Sequence, residues 1–351
     1  MVETLFSPVE KSLFAMVAHL RFMAIFFLFR KKKKSKTRKE EPHMTTRRIF
    51  ALLTALVLAF ALCACGNDQP SNSNNNETVD YLASVPAVED LTGVDTSAFP
   101  GVEDGVLTVG MECAYAPYNW TQMDDSNGAV PIVNNPGTFA NGYDVMIAQR
   151  ICDAYGWKLE VMAIGWDGLI PALNAGQIDA VIAGQSMTEE RMAEVDMAGP
   201  YFYASIVCVA QKGSDQSKAT GISNLTGACT AQTGTIWYDS CLPQILGAEI
   251  MTEAETAPAM IMAVTTGTVD FICTDMPTAM GACATYDNLM ILDFTGTDDD
   301  FQVDEGEINI GISVVKGNSQ LKDAMDTVLN AMTVDHFNAM MNHAISVQPA
   351  I

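Results

Sequence analysis

The chain has 351 residues and a formal net charge of −23, and 49% of its residues are hydrophobic. The part before Cys65 holds 12 of the 19 Lys and Arg and 4 of the 42 Asp and Glu, so the remainder has 7 basic and 38 acidic residues, a net charge of −31. The length allows one or two domains with sizeable cores. The acidic body argues against nucleic acid as a partner, and its field favours cationic ligands. The alternative role of this charge is solubility.

Residues 1–43 are predicted not to belong to the fold. Their apolar stretch at 13–29 is interrupted by His19 and Arg21 and is followed by a run of basic residues. This pattern is compatible with a weak membrane segment, since basic residues flank the cytoplasmic side of such segments. The alternative, which we expect, is that translation starts at Met44 and that 1–43 is a non-native extension.

Residues 44–64 have the proportions of a secretory signal peptide: two arginines, an apolar core and small residues at the end. Their end, together with Cys65 and Gly66, resembles a bacterial lipobox, which implies cleavage before Cys65 and attachment of a lipid to its sulfur. A plain signal peptide with an unmodified Cys65 is the alternative. Residues 65–101 are expected to form a disordered tether, because Asn, Ser, Asp and Pro dominate it as far as Glu89. Within this range, 91–101 is ambiguous, and loose packing on the first lobe is its alternative.

From Gly105 onward, short apolar strands alternate with helices, which predicts an α/β fold with mostly parallel sheets. In the first half, strands are predicted at 105–110, 159–163 and 178–183, helices at 143–155 and from Trp166 (capped by Asp167), and a turn-rich excursion at 121–140. In the second half, strands are predicted at 228–231, 249–252, 269–274 and 289–294, and helices at 257–266, 319–332, 335–344 and starting at 232–235.

Two extended segments, 203–212 and 308–315, are predicted to cross between two lobes. The first lobe would comprise residues 102–206 plus 308–351, and the second lobe residues 207–307. Two crossings of the chain favour a hinge over a rigid pair of domains.

A candidate anion site follows the predicted strand 178–183. Thr188 stands at a helix N-cap position, acidic residues occupy the first turn, and Arg191 is the third helical residue. Backbone N–H groups, the hydroxyls of Ser186 and Thr188 and one guanidinium then meet at the carboxyl end of a strand, an arrangement that suits a carboxylate. Taken alone, such an arginine is more often a solvated or ion-paired surface residue.

The stretch Gly184–Arg191, followed by Val195–Tyr201, resembles the extracellular solute-binding proteins of polar amino-acid ABC importers. Further blocks in the family's order lie at 105–120, 142–183, 228–235, 269–277 and 308–316. The resemblance implies a two-lobed periplasmic-binding-protein-like (type II) fold that closes around an amino acid. It also implies delivery of that amino acid to an ABC permease, from the extracellular face of a bacterial cell membrane, by a lipid-anchored monomer without a cofactor.

The resemblance assigns roles to nine residues. Arg191 would bind the ligand α-carboxylate, with help from Ser186, Thr188 and Thr235, and Asp275 would bind the α-ammonium, together with the carbonyl of Gly184. Tyr115 and Trp166 match the aromatic positions that sandwich the ligand side chain, and core packing is their alternative role. Glu112 matches a position at which an acid reaches the tip of a basic side chain, and it could equally face water.

These assignments favour a basic ligand, with polar neutral amino acids next. Four loops that each follow a predicted strand are expected to face one cleft: 111–118, 184–191, 232–236 and 274–277. An acidic ligand would bring a second carboxylate, and these loops contain no basic residue besides Arg191 to receive it. An enzyme on the same fold, like the cyclohexadienyl dehydratases, would need a positioned general acid, for which Glu112 is the candidate. A ligand-sensing domain is a third reading.

Seven cysteines follow Cys65, without a Cys-x-x-Cys pair or a Cys/His cluster. We therefore predict no metal site and expect most of these cysteines to pack as small hydrophobic side chains.

Overall fold

The computed structural model describes residues 79–349. The predictions for the signal peptide, for Cys65 and for residues 1–43 lie outside these described residues. Within the described range, no helix is long and apolar enough to cross a membrane.

Fourteen strands are described, and most are short. In chain order they are β1 (Val106–Met111), β2 (Ala114–Tyr115), β3 (Asn119–Gln122), β4 (Val130–Pro131), β5 (Phe139–Asn141), β6 (Lys158–Ala163), β7 (Ala180–Ser186), β8 (Val195–Tyr203), β9 (Ile206–Gln211), β10 (Thr226–Thr230), β11 (Gly247–Ile250), β12 (Phe271–Asp275), β13 (Leu289–Leu292) and β14 (Asn309–Val315). The α-helices are α1 (Tyr143–Tyr155), α2 (Leu169–Asn174), α3 (Glu189–Glu194), α4 (Ala257–Thr266), α5 (Met276–Thr285), α6 (Glu305–Ile308), α7 (Ser319–Asn330) and α8 (Val334–Val347).

Two five-stranded sheets form the framework, with the strand orders β6-β1-β7-β14-β8 and β11-β10-β12-β9-β13. Parallel pairing joins β1 to β6 and β7, and β10 to β11 and β12, as predicted. The pairs that involve β9 or β14 are antiparallel. This difference arises because β9 and β14 follow the two crossings, where the chain enters a sheet from the other lobe rather than through a helix on its own side.

Helix α1 shows how local sequence fixes an element that supports the site. Its apolar side chains at Val145, Ala148 and Ile151 are fully buried against the first sheet. Gly156 ends the helix with a φ of +74°, a conformation that glycine adopts without steric cost. The predicted limits of this helix are confirmed to the residue.

A third, small sheet was not predicted. Strands β2, β3, β5 and β4 pair antiparallel in that order, over residues described above as a loop and a turn-rich excursion. Strands of two to four residues give too few alternations for periodicity to reveal them.

Two helix predictions are confirmed in part. Trp166–Gly168 forms a 3-10 turn and α2 follows from Leu169, but Asp167 provides no side-chain cap. The helix predicted to start at 232–235 begins after Thr235, whose carbonyl accepts the Asp239 N–H at 3.1 Å, and it continues as a π-type turn at Trp237–Cys241.

Residues 79–101 pack against the first lobe. The predicted disordered tether is therefore wrong for 79–89, whereas the packing on the first lobe that was left open for 91–101 is confirmed. The Leu91 N–H donates to the Ala154 carbonyl at 2.8 Å, and the Arg150 guanidinium donates to the Pro86 carbonyl at 2.7 Å. Two further side chains bond the same segment, Trp157 to Thr96 at 3.1 Å and Asn318 to Pro100 at 2.8 Å. We refer to residues 79–101 as the N-terminal strap.

Candidate functional site

A cavity of about 560 Å³ lies between the two lobes, at the carboxyl ends of β7 and β10. This is where open α/β sheets place their ligands. Seven of the nine predicted site residues line it: Tyr115, Trp166, Gly184, Ser186, Thr188, Arg191 and Thr235. Glu112 and Asp275 are not among the lining residues.

Arg191 is fixed to the cavity wall from three sides. The Thr188 side chain accepts a hydrogen bond from the Arg191 backbone N–H at 3.2 Å, which confirms the predicted N-cap. The guanidinium donates to the Ser186 carbonyl. It also lies over the Trp166 ring, with 5.7 Å from Cζ to the ring centroid, a cation–π distance. Burial lowers the pKa of Arg191, but an arginine stays charged at neutral pH.

Asp275, the predicted acceptor for the ligand α-ammonium, does not line the cavity but is hydrogen-bonded to other protein groups. Its carboxylate is 1% exposed and accepts the Tyr115 hydroxyl at 2.6 Å and the Thr278 N–H at 2.8 Å. The second of these bonds caps α5. Burial raises the pKa of Asp275. The acceptor assigned to an α-ammonium is therefore bonded to Tyr115, a residue of the opposite lobe.

The aromatic residues form a wall that sequence reasoning described only in part. Tyr115 stacks on Tyr118 with ring centroids 4.7 Å apart, and it lies 6.2 Å from the ring of Trp237. Trp166 packs near Gly234 of the second lobe, at 3.1 Å from the position that a Cβ would take there. Trp237 lines the cavity and was not predicted, although its place two residues after Thr235 was an available signal.

Glu112 is half-buried and bridges the lobes. Its carboxylate accepts a hydrogen bond from the Gln232 side chain at 3.2 Å. Burial raises the pKa of Glu112 to about 7, the bond from Gln232 acts in the opposite direction, and the nearby charge of Asp167 adds to the rise. Glu112 can therefore change its charge near neutral pH.

Acidic residues surround the cavity. The sequence indicated Glu189 and Glu190 as first-turn residues of a helix, but sequence reasoning assigned none of these acidic residues to the cavity lining. Five line it: Glu189, Glu190, Asp239, Asp304 and Glu307. Arg191 is the one basic residue in the described lining. Burial raises the pKa of Asp239, and the charges of Glu253 and Glu190 raise it further. The electrostatic character of the cavity is thus one fixed guanidinium within an acidic surround.

The cysteines pack as expected. All seven described cysteines are free, and six of them are buried: Cys113, Cys152, Cys208, Cys229, Cys241 and Cys273.

Comparisons with known proteins agree with this geometry. The model of the bacterial extracellular solute-binding proteins, family 3, matches residues 107–343, more than half of the chain. A probable histidine-binding protein of Neisseria gonorrhoeae is 29% identical over 188 residues, which cover 52% of this chain and 63% of that protein, slightly less than two thirds of its length. The L-cystine-binding protein TcyJ of Escherichia coli K12 is 24% identical over 262 residues, which cover 72% of this chain and 90% of that protein.

Among solved structures, an amino acid ABC transporter substrate-binding protein from Streptococcus pneumoniae bound to L-arginine is similar with a TM-score of 0.60. It is 23% identical, and the match covers 70% of this chain and 96% of that chain, so it bears on the fold alone. The two-lobed type II fold predicted from the sequence is thereby confirmed. The chain belongs to the bacterial extracellular solute-binding proteins, family 3.

Proposed function

We propose that this protein captures an amino acid outside the cell, in the cavity between its lobes, and presents it to an ABC permease in the membrane. The observation that supports this most directly is the guanidinium of Arg191, held on the cavity wall by the Ser186 carbonyl and the Trp166 ring. A fixed guanidinium fits a planar carboxylate in two-pronged geometry. Binding energy spent on contacts to both lobes closes the hinge, and no chemical step is required.

The ligand class we propose is basic, with polar neutral amino acids next. The relatives named above bind histidine, cystine and arginine according to their descriptions, so membership of the family leaves the class open. Cystine carries two carboxylates, and the described lining offers Arg191 to one of them and acidic residues to the other. An unpaired carboxylate in a closed cleft is costly, whereas a cationic side chain meets acids and the faces of aromatic rings.

In this proposal, Ser186, Thr188 and Thr235 assist Arg191 at the ligand carboxylate. The α-ammonium goes to the Gly184 carbonyl and to Asp275. Since Tyr115 already donates to Asp275, the ammonium must share this carboxylate with the hydroxyl or displace it.

A second candidate, an enzyme on the same fold, has one observation in its favour. A carboxyl with a pKa near 7, as at Glu112, is suited to general acid catalysis. Glu112 does not line the cavity, however, and its carboxylate is already bonded to Gln232. We expect no loss of a cyclohexadienyl acid on incubation with the protein, monitored by absorbance.

Thermal-shift screening of the twenty amino acids tests the ligand class. The screen also includes ornithine. We expect arginine, lysine, ornithine or histidine to raise the melting temperature more than glutamate or aspartate.

Arg191→Ala should weaken binding by about 2–5 kcal/mol, because a buried carboxylate loses its partner. This free energy corresponds to a rise in Kd of roughly 30- to 5,000-fold. A clear shift with glutamate and none with arginine or lysine would refute the class, and unchanged calorimetric binding by Arg191→Ala would refute the site.

We also propose that the mature protein is anchored through a lipid on Cys65, because residues 44–66 match a lipoprotein signal. Two acyl chains give stable anchoring. Cys65→Ala should move the protein out of the membrane fraction or leave an uncleaved precursor, and an unchanged membrane fraction would oppose the proposal.

A further inference from the structure

A chain of four hydrogen bonds lies behind the cavity wall of the first lobe. The Cys113 N–H donates to the Asn119 side-chain oxygen at 2.7 Å, and the Asn119 amide donates to Asp144 Oδ2 at 2.7 Å. On the other side, the Gly184 N–H donates to the Tyr201 hydroxyl oxygen at 3.0 Å, and this hydroxyl donates to Asp144 Oδ1 at 2.7 Å. The two halves of the chain meet at one carboxylate.

The ends of this chain lie in two loops that bear predicted ligand residues. Cys113 belongs to residues 111–118, which run from the end of β1 through β2 and contain Tyr115. Gly184 begins residues 184–191, which run from the end of β7 into α3 and contain Arg191. We keep the name loop for both segments. Backbone bonds strengthen the first connection, because the Asp144 N–H donates to the Tyr118 carbonyl at 2.8 Å. Asp144 also lies in the first turn of α1, where the helix dipole favours a negative charge.

Among the described groups that face Asp144, none is a cation. Tyr143 comes from its own helix, Tyr201 from β8, and Cys113, Tyr115 and Tyr118 from the loop 111–118, while Asp275 acts across the cleft. Burial raises the pKa of each of the four tyrosines, so they stay neutral donors. Burial likewise raises the pKa of Asp144 to about 7, against the hydrogen bonds from Tyr201 and Asn119 that lower it.

We infer that Asp144 is a positioning residue for ligand binding: its ionised carboxylate holds the loops 111–118 and 184–191 in the relative position that forms the ligand site. This inference rests on the amino-acid site proposed above. Asp144 itself is fully buried and does not line the cavity.

The direction of the hydrogen bonds explains why a carboxylate is required. Asn119 must offer its oxygen to Cys113 and therefore its amide to Asp144, while Tyr201 receives Gly184 and therefore donates to Asp144. An acceptor is needed on both oxygens of residue 144. An amide, or a protonated carboxyl, presents a donor on one side and leaves one buried group without a partner.

Calorimetric titration with L-arginine tests this inference. We expect Asp144→Asn to raise Kd at least tenfold at pH 8, while the matched control Asp153→Asn, an exposed residue of the same helix, stays within twofold of wild type. In a Glu112→Gln background, affinity should fall on acidification from pH 8 to pH 6, and Asp144→Asn should abolish this pH dependence. A folded Asp144→Asn variant with unchanged affinity and an unchanged pH profile would overturn the inference.

A measurement without ligand separates this inference from the proposed function. By NMR-detected hydrogen exchange, Asp144→Asn should speed exchange of the Gly184 amide at least tenfold and leave that of Val209, in the second sheet, unchanged. If Asp144→Asn does not fold, Tyr201→Phe removes the link to Gly184 alone and should give the same faster exchange. Unchanged Gly184 exchange in the folded variant refutes the role of Asp144, whereas failure of all amino acids to bind wild type refutes the proposed function only.

Discussion

Glu112 is a residue between the lobes whose side chain can gain or lose a proton near neutral pH. Its ordinary carboxyl pKa would leave it ionised throughout the neutral range, but burial raises this pKa to about 7. A cationic ligand nearby would lower the pKa again, because it stabilises the ionised form. Binding of a basic amino acid should therefore release a proton from Glu112.

This linkage predicts that the affinity for arginine rises between pH 6 and pH 8. In Glu112→Gln the effect should shrink to the part that depends on Asp144, and it should be smaller for glutamine, a neutral ligand, than for arginine. Calorimetric titrations at both pH values measure it, and buffers of different ionisation enthalpy report the proton release. Equal pH dependence for arginine and glutamine would show that Glu112 does not sense the ligand charge.

The raised pKa of Glu112 affects the stability of the empty protein in the opposite direction: the affinity for arginine should rise with pH, whereas the stability should fall. Between about pH 4 and pH 7, the folded state keeps a proton on Glu112 that the unfolded chain has lost, so stability should fall as pH rises through this window. Asp144, with a pKa raised to about 7 by burial, adds a fall of the same sign. The slope of melting temperature against pH should be shallower in Glu112→Gln.

Gly184 lies in β7, two residues before its end. Its φ of +64° is a conformation that glycine adopts easily and other residues do not. A Cβ at this position would stand 2.6 Å from Cε1 of Tyr115, so the strand and the aromatic ring approach too closely for any other residue. The end of β7 is thus packed directly against the Tyr115 ring, so two parts of the candidate site are in contact.

Gly184→Ala should raise Kd for arginine at least tenfold, because Tyr115 must move away from the cavity wall. Gly176→Ala is a matched control: its φ is +67°, but nothing lies within 4 Å of the added Cβ. Both variants should lose roughly 1–2 kcal/mol of stability from the left-handed conformation, and Gly184→Ala should lose more. Calorimetry and chemical unfolding measure both quantities; similar affinities in the two variants would contradict this account.

Elements were predictable from the sequence where local signals mark both ends. Helix α4 (Ala257–Thr266) lies at its predicted limits, because Thr256 caps its start and Gly267 adopts a φ of +75° at its end. The small sheet β2-β3-β5-β4 was missed, because its pairing depends on chain reversal rather than on periodicity.

The candidate site was predictable to a similar depth. The N-cap at Thr188 follows from local sequence, and the structure has it. The bond between Tyr115 and Asp275 joins residues 160 positions apart, and no local pattern carries such information. The roles of the individual site residues stay predictions.

At the scale of the whole molecule, several contacts between described residues connect the lobes around the cavity. Tyr115 bonds Asp275 at 2.6 Å, Gln232 bonds Glu112 at 3.2 Å, and Trp166 packs against Gly234. The described structure is therefore a closed arrangement, because residues of one lobe directly contact residues of the other. A ligand must compete with at least the first of these contacts to reach Asp275.

Tyr115→Phe should shift the empty protein towards an open arrangement. Loss of a hydrogen bond to a charged group costs about 1.5–3 kcal/mol. The control is Tyr118→Phe, since the Tyr118 hydroxyl, in the stacked neighbour, has no hydrogen-bond partner within the described residues. Small-angle X-ray scattering should show a larger radius of gyration for Tyr115→Phe alone. Identical scattering of both variants would mean that this bond does not hold the lobes together.

For a protein anchored through its N-terminal side, as proposed above, the N-terminal strap has a mechanical consequence. Its hydrogen bonds go to α1, to Trp157 two residues after the end of α1, and to Asn318 at the start of α7, which all belong to the first lobe. A pull along the main chain from the N-terminal side is therefore received by the first lobe, across several bonds in series. The second lobe can then move about the hinge while the point of attachment stays in place. Opening and closing therefore require no movement of the N-terminal strap.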